Sequence, residues 1–366
     1  MRDRQHPSGM EVYPKLVKRR RIFLLALTLC LIFFLMLSVS TGSSNITFKQ
    51  VFLAVYRILL GGNLKGDTLT QTVNIVWNIR LPRALMAVAA GVGLALSGVV
   101  LQAVLRNPLA SPYTLGVASS AAFGAAVAIV CGAGIIHQTY LGGFTITHPY
   151  LVVVSAFAFS MLSVAVIVVL ARFRRASPET IILAGIAMLY LFSASTSLIE
   201  YLGTTEQVAA VIFWMFGSLS KASWGNLQIV TLATIASFLA LFRWSWGFNA
   251  MLLGDEVAKS LGINVERLRM AGMTLASFAT AAAVSFLGTI GFIGLVAPHI
   301  ARMILGGDHK YLIPASCLVG ANILLVADTA ARTMFSPLIL PVGILTSFLG
   351  VPLFIYLLLK RRREYW

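Results

Sequence analysis

The chain has 366 residues, 58% of them hydrophobic and 11% charged, with mean hydropathy +0.89 and formal net charge +16. Soluble domains carry roughly 25% charged residues, so this composition excludes a soluble globular chain and points to repeated membrane spans. The basic surplus flanks the apolar runs, as insertion bias expects, which excludes the nucleic-acid partner that the charge alone would suggest.

Residues 1–21 form a basic arm with Lys15, Lys18, Arg19, Arg20 and Arg21, expected on the cytoplasmic side. The first apolar run, 22–39, ends at Ser38-Val39-Ser40, a small-x-small pattern that also suits a cleaved signal peptide. The many later spans favour an anchor instead. A polar segment from Thr41 to about Asn78 follows, with room for a short amphipathic helix near Phe48 to Leu60. Further spans are predicted at about 81–105, 113–131, 150–171, 180–202, 226–243, 270–290, 293–305, 311–329 and 339–359. The expectation is a single all-α polytopic domain, 22–363, with about ten transmembrane helices and both termini cytoplasmic. Arg172, Arg174 and Arg175, then Arg243, Lys259, Arg267 and Arg269, then Lys360, Arg361, Arg362 and Arg363 all fall on inside segments. Residues 132–149, predicted outside, hold no Lys or Arg, and 203–225 hold only Lys221; Lys65 and Arg80 run against the pattern. Cys30, Cys131 and Cys317 lack CxxC spacing and read as small buried residues.

The stretch GTIGFIGLVAPHIARM, 288–303, places Pro298 and His299 inside a Gly-rich apolar run. Backbone at bilayer depth tolerates such a break only where protein or a water-lined path covers the freed polar groups. The reading is a broken helix at Pro298-His299 on a transport path. Spans two to five and seven to ten each follow a Gly/Ala-rich helix with a Pro-bearing turn, Arg106-Asn107-Pro108 and Ala297-Pro298-His299, which suggests an inverted repeat. Ala87, Gly91 and Ala95 suit close helix packing.

Several polar residues have local readings. Gly254-Asp255 can start a short helix in the polar loop 249–270, with Gly262 as its stop and Asn264 capping the next; Asp255 and Glu256 are expected to be exposed. Ser177-Pro178-Glu179 has the form of a helix start, with an N-cap, a proline and a carboxylate at the dipole's positive end. Asn107 reads as a turn residue before Pro108. Arg80, Arg83 and Arg332 lie near the predicted outer surface, where snorkelling to headgroups is the plain reading. Asp328 and Arg332 are spaced as an i, i+4 pair. His299 reads as a neutral side chain bonding a freed carbonyl. No second ligand lies near it, so no metal site is expected.

The pieces IRLPRALMA (79–87), LSGVVLQAVLRNPLASPYTLGV (96–117), LLGDEVAKSLGINVERLR (252–269), GTIGFIGLVAPHIAR (288–302), LLVADTAAR (324–332) and LPVGILTSFLGVPLFIYLLLKRRR (340–363) together resemble the FecCD/cobalamin-importer permeases. These belong to type II ABC importers for iron–siderophores, haem and cobalamin. The resemblance implies a homodimer, two cytoplasmic ATP-binding subunits and an external substrate-binding protein. It implies ATPase coupling through Gly254, Asp255, Glu256, Lys259 and Gly262. It places a cytoplasmic gate at Asn107 and Leu109 and at Ser177, Pro178 and Glu179, and binding-protein docking at Arg80, Arg83 and Arg332. The cobalamin-type permease has small hydroxyl residues where this chain has Pro178-Glu179, which disfavours cobalamin as cargo. The sequence contains no G-x-x-x-x-G-K-[ST] phosphate loop, so energy has to come from a partner or an ion gradient.

The expectation is therefore a non-enzymatic permease subunit in the inner membrane, carrying an iron(III)–siderophore by alternating access without a cofactor, with haem or cobalamin as the alternative cargo. A self-sufficient ion-coupled carrier would need carboxylates at mid-span. Glu200 and Asp328 are the near candidates, and both sit near span ends. A membrane-embedded enzyme would need clustered His, Asp or Glu, and the sequence shows no such cluster.

Overall fold

The structure, a computed structural model, describes residues 9–42, 72–139, 149–173, 177–335 and 338–359. Its described elements are helical. They are α1 (Gly9–Ser40), α2 (Leu81–Val104), α3 (Val117–Thr139), α4 (Pro149–Phe173), α5 (Pro178–Leu202), α6 (Thr205–Met215) and α7 (Trp224–Arg243). After these come α8 (Ser245–Leu252), α9 (Asp255–Ser260), α10 (Val265–Leu287), α11 (Ile293–Leu305), α12 (His309–Thr333) and α13 (Val342–Leu359). Seven segments are long and apolar enough to cross a bilayer, those of α1, α2, α4, α5, α7, α10 and α12; α3, α11 and α13 supply shorter apolar helices. Together they accord with the expected number of about ten transmembrane helices.

Hydrophobicity alone does not order such helices, because lipid tails are as apolar as leucine. Small residues do. Most of α2, α10 and α12 is buried, whereas most of α1, α4, α5 and α7 faces outward. At the centre, a Cβ on Gly91 would stand 2.6 Å from the Gly320 carbonyl oxygen, so α2 and α12 meet backbone to backbone. Ala87 and Ala95, one turn to either side, are fully buried, as the small-residue spacing predicts.

Helix ends follow local chemistry. Ser177, Thr204, Ser223, Asn264 and Asp308 each accept a hydrogen bond from a first-turn amide. The buried first helix of each four-helix set ends at a turn forced to positive φ. Arg106 and Gly116 take that conformation after α2, and Gly288 and Phe292 after α10. This parallel accords with the inverted repeat.

Several expectations are corrected. α3 starts at Val117 rather than 113, because Ser111 and Thr114 cap a 3-10 turn, Pro112–Leu115, that ends on left-handed Gly116. It runs on to Thr139, and the segment 203–225 contains α6, started by a Thr204/Gln207 capping box. Cys30 and Cys131 are exposed and only Cys317 is buried; Cys30 lies on outward-facing α1, where lipid accepts a thiol as readily as a core does. Residues 9–21 of the basic arm are helical and continuous with α1. The proposed helix near 48–60, Arg174, Arg175 and the basic tail 360–363 lie outside the described residues.

Candidate translocation site

A cavity of about 840 Å³ opens where the turns after α2 and α10 meet α13; Tyr113, Phe216, Phe292, Leu295, Ile344 and Phe348 form much of its wall. Four hydroxyls line it, those of Ser111, Tyr113, Thr289 and Ser347, and no charged side chain does. Ser347 donates to the Gly343 carbonyl over 2.8 Å, Thr289 donates to the Met215 carbonyl, and Ser111 belongs to the 3-10 turn's capping box. The wall is thus largely apolar, with the Ser347 and Thr289 hydroxyls turned to backbone carbonyls. A bulky cargo meets no fixed charge there.

The turn Gly288–Phe292 is the non-helical backbone of this wall. Several of its polar groups are satisfied by adjoining helix backbone: Gly288 N–H donates to the Val284 carbonyl over 2.8 Å, and the Gly291 and Phe292 carbonyls accept from Ile293 and Val296 N–H, each over 2.9 Å. Such satisfaction is what irregular backbone at membrane depth requires. At Gly288, φ is 76° and a side chain would run into the Trp214 carbonyl, so glycine is required. Phe292 holds φ at 66°, a region costly for an aromatic residue, and its ring packs against Gly350, where a Cβ has no room. It also lines a second cavity of about 380 Å³ among α1, α11, α12 and α13. The residue pattern gave no sign of Phe292; only its place between Gly291 and Gly294 could have drawn attention.

The break itself lies elsewhere than expected. Pro298 sits inside α11 and is buried, and His299, half-buried, continues the same helix. The chain is interrupted ten residues earlier, at Gly288. Proline in a second turn lacks the N–H that would reach the carbonyl four residues back, here Gly294. That carbonyl faces α2, where a side chain at Gly98 would overlap it. Pro298 therefore frees a carbonyl and permits a close helix contact without ending the helix.

Arg80, Arg83 and Arg332 do converge, at the end of the bundle opposite α8 and α9. They do not form an open patch. Arg83 binds Asp328 through Nε and Nη2 at 3.0 and 2.8 Å, and Arg332 Nε binds the other carboxylate oxygen at 3.1 Å. Asp328 is fully buried. Arg80 donates to the Val39 and Ser40 carbonyls, and Arg332 to the Ser38 and Thr41 carbonyls, all within 2.9–3.0 Å. The last carbonyls of a helix have no partner within it; these arginines supply one and fasten α1 to α2 and α12. The expected Asp328–Arg332 pair is present, but Arg83, 245 residues away, could not be read from spacing.

At the other end, α9 starts after Gly254 at φ 113°, stops before Gly262 at φ 80°, and Asn264 accepts from Arg267 N–H over 2.9 Å. Those three expectations hold. The exposure of Asp255 does not. Its carboxylate pairs with Arg269 at 2.9 Å and Arg106 at 3.3 Å. Arg269 is 2% exposed and donates to the Val104 carbonyl. Glu256 and Lys259 form an exposed pair at 2.8 Å. Leu253, Val257 and Leu261 are exposed around them.

Ser177 Oγ accepts from Thr180 N–H at 3.3 Å, with Pro178 buried and Glu179 exposed, so this trio is a helix start. Asn107 accepts from Leu109 N–H at 2.9 Å and leaves Leu109 exposed. An unforeseen network joins α1, α8 and α12: Asp308 accepts from Arg20 at 3.1 Å and Asn249 at 2.9 Å, and Asn249 Oδ1 lies 2.8 Å from buried His309 Nδ1. Arg20 also lies over the Tyr311 ring.

The sequence matches the FecCD transport family over residues 30–360. A Methanocaldococcus jannaschii protein, provisionally described as an ABC transporter permease, is 45% identical, covering 95% of this chain and 97% of that one. The hemin transport system permease protein of Yersinia pestis is 37% identical, covering 81% and 87%. A solved structure described provisionally as a metal-chelate type ABC transporter, inward-facing, superposes with TM-score 0.78 at 33% identity, covering 92% and 99%. With ten apolar helices, an uncharged path and a family match across most of its length, the chain belongs to the FecCD transport family as the multi-pass permease of a type II ABC importer.

Proposed function

We propose that this permease carries an iron(III)–siderophore complex, intact, through a path formed by two copies of the chain. The supporting observation is the uncharged cavity of about 840 Å³. A chelate hides its metal charge behind an organic shell, and such a wall admits it without binding it tightly. Among the described residues no group of three His, Cys, Asp or Glu could hold a metal ion, so the iron would stay in its chelator. Phe348 lines the cavity yet is 74% exposed, which supports a second copy completing the wall. The similarity to a metal-chelate type transporter favours this cargo. Haem is the second reading, favoured by the hemin permease relative.

In this reading α8 and α9 lie at the cytoplasmic end and receive the ATP-binding subunits. A rigid capped pair, tied through Asp255 and Arg269 to the end of α2, can pass a push into the central helices. Asn107 and Leu109, with Ser177, Pro178 and Glu179, lie on the turns that narrow the inner mouth. Arg80, Arg83 and Arg332 would serve the external binding protein indirectly, by holding α1, α2 and α12 in register beneath it. The binding protein that docks here identifies the cargo. Purified from iron-starved cells it should hold a ferric siderophore; haem or cobalamin in its cleft would replace the assignment.

A further inference from the structure

Beside α8 lies a third cavity, of about 370 Å³, whose polar wall carries Arg243, Arg267, Trp244, Trp246 and Asn264. No carboxylate lines it. Among the described residues, neither guanidinium has a hydrogen bond or ion pair. Arg267 stands in the first turn of α10, where the helix dipole disfavours a cation. A bound anion would remove that penalty. Asn264 spends its oxygen on capping and leaves the arginines to face the cavity alone.

The position on the bundle says where the anion comes from. Leu232, Ile235 and Leu239 form an outward apolar stripe along α7, all at least half exposed. Arg243 continues that stripe one turn on, at the last residue of the helix. An acyl chain lying on the stripe ends with its head group over Arg243. Trp246, 61% exposed, has the amphipathic ring that settles at the head-group level. Basic pockets between helices at this depth recognise anionic head groups.

We propose that Arg243 and Arg267, with Trp246, form a site for the phosphodiester of an anionic phospholipid. The site lies outside the cargo path and beside the coupling helices, so lipid bound there would brace α8 against α10. Gly247 already brings those two together, since a Cβ there would stand 2.7 Å from Leu268.

The test is native mass spectrometry of the full chain, delipidated in detergent and titrated with phosphatidylglycerol or phosphatidylcholine. The parent should retain phosphatidylglycerol roughly tenfold more strongly, on the scale of two arginines near a charged surface. Arg243→Gln/Arg267→Gln should abolish the preference and each single variant should lose part of it, while Arg172→Gln, exposed on α4 and absent from the cavity wall, should keep it. Equal retention of the two lipids, or an unchanged preference in the double variant, overturns the proposal. So does displacement of phosphatidylglycerol by millimolar inorganic phosphate, which would mark a free-anion site. If the double variant keeps its lipid but no longer co-purifies with its ATP-binding subunit, the arginines belong to that protein interface and the lipid site is wrong.

Discussion

Asp328 shows what a buried charge requires. It has no exposure, and two guanidinium groups from different helices share its oxygens. Removing one member of such a group strands the others, at a cost of about 3–5 kcal/mol. Asp328→Asn should therefore lower the unfolding midpoint sharply in detergent and loosen the end of α1; a midpoint within a degree of the parent would mean that the arginines are satisfied by other means. The same reasoning separates two neighbours on α9. Asp255→Lys sets a third cation against buried Arg269 and exposed Arg106 and should reduce yield and thermal stability, whereas Glu256→Lys breaks only an exposed pair worth roughly 0–1 kcal/mol. Equal stability of the two variants would contradict the buried pairing. Glu256→Lys, unlike Asp255→Lys, is then the clean probe of ATPase coupling.

At the scale of elements, the contacts that matter are those between backbones. Gly98 and Gly294 touch where Pro298 has released a carbonyl, leaving no room for a methyl group. Gly98→Ala should separate α2 from α11 and cost stability and transport together. Gly225→Ala, with nothing within 4 Å, should be silent and serves as the control. If both variants fold and transport like the parent, the close contact is not required. Much of this level was legible in the sequence. Apolar length located the spans, small-residue spacing marked the packing face of α2 without naming its partner, and cap chemistry placed α9 and the starts of α5 and α10. The break was misplaced because proline was read as an interruption, when its position in the second turn lets α11 continue and the glycine at 288 makes the turn. The partners of Arg80, Arg83 and Asp255 were illegible for another reason. They join residues far apart in sequence, and spacing reports only neighbours on one helix.

In the whole molecule, three buried helices form a pillar, and outward-facing helices surround it. The two polar ends are tied differently. One end fastens α1 through arginines to helix carbonyls; the other fastens α1 and α8 to α12 through Asp308 and Asn249. Between them lies an uncharged cavity lined by the turns after α2 and α10 and by a face of α13. The path offers a passage for bulk and no ion-coupling group, since Asp328, the one fully buried carboxylate among the described residues, is locked between two arginines. The match to the FecCD transport family is the reason to look for the driving force in a partner. The direct measurement is uptake of a radiolabelled ferric siderophore into proteoliposomes holding this chain with its ATP-binding subunits and its binding protein. The account predicts accumulation that needs ATP and the binding protein and ignores proton and sodium gradients. Accumulation driven by either gradient in vesicles holding this chain alone would contradict it.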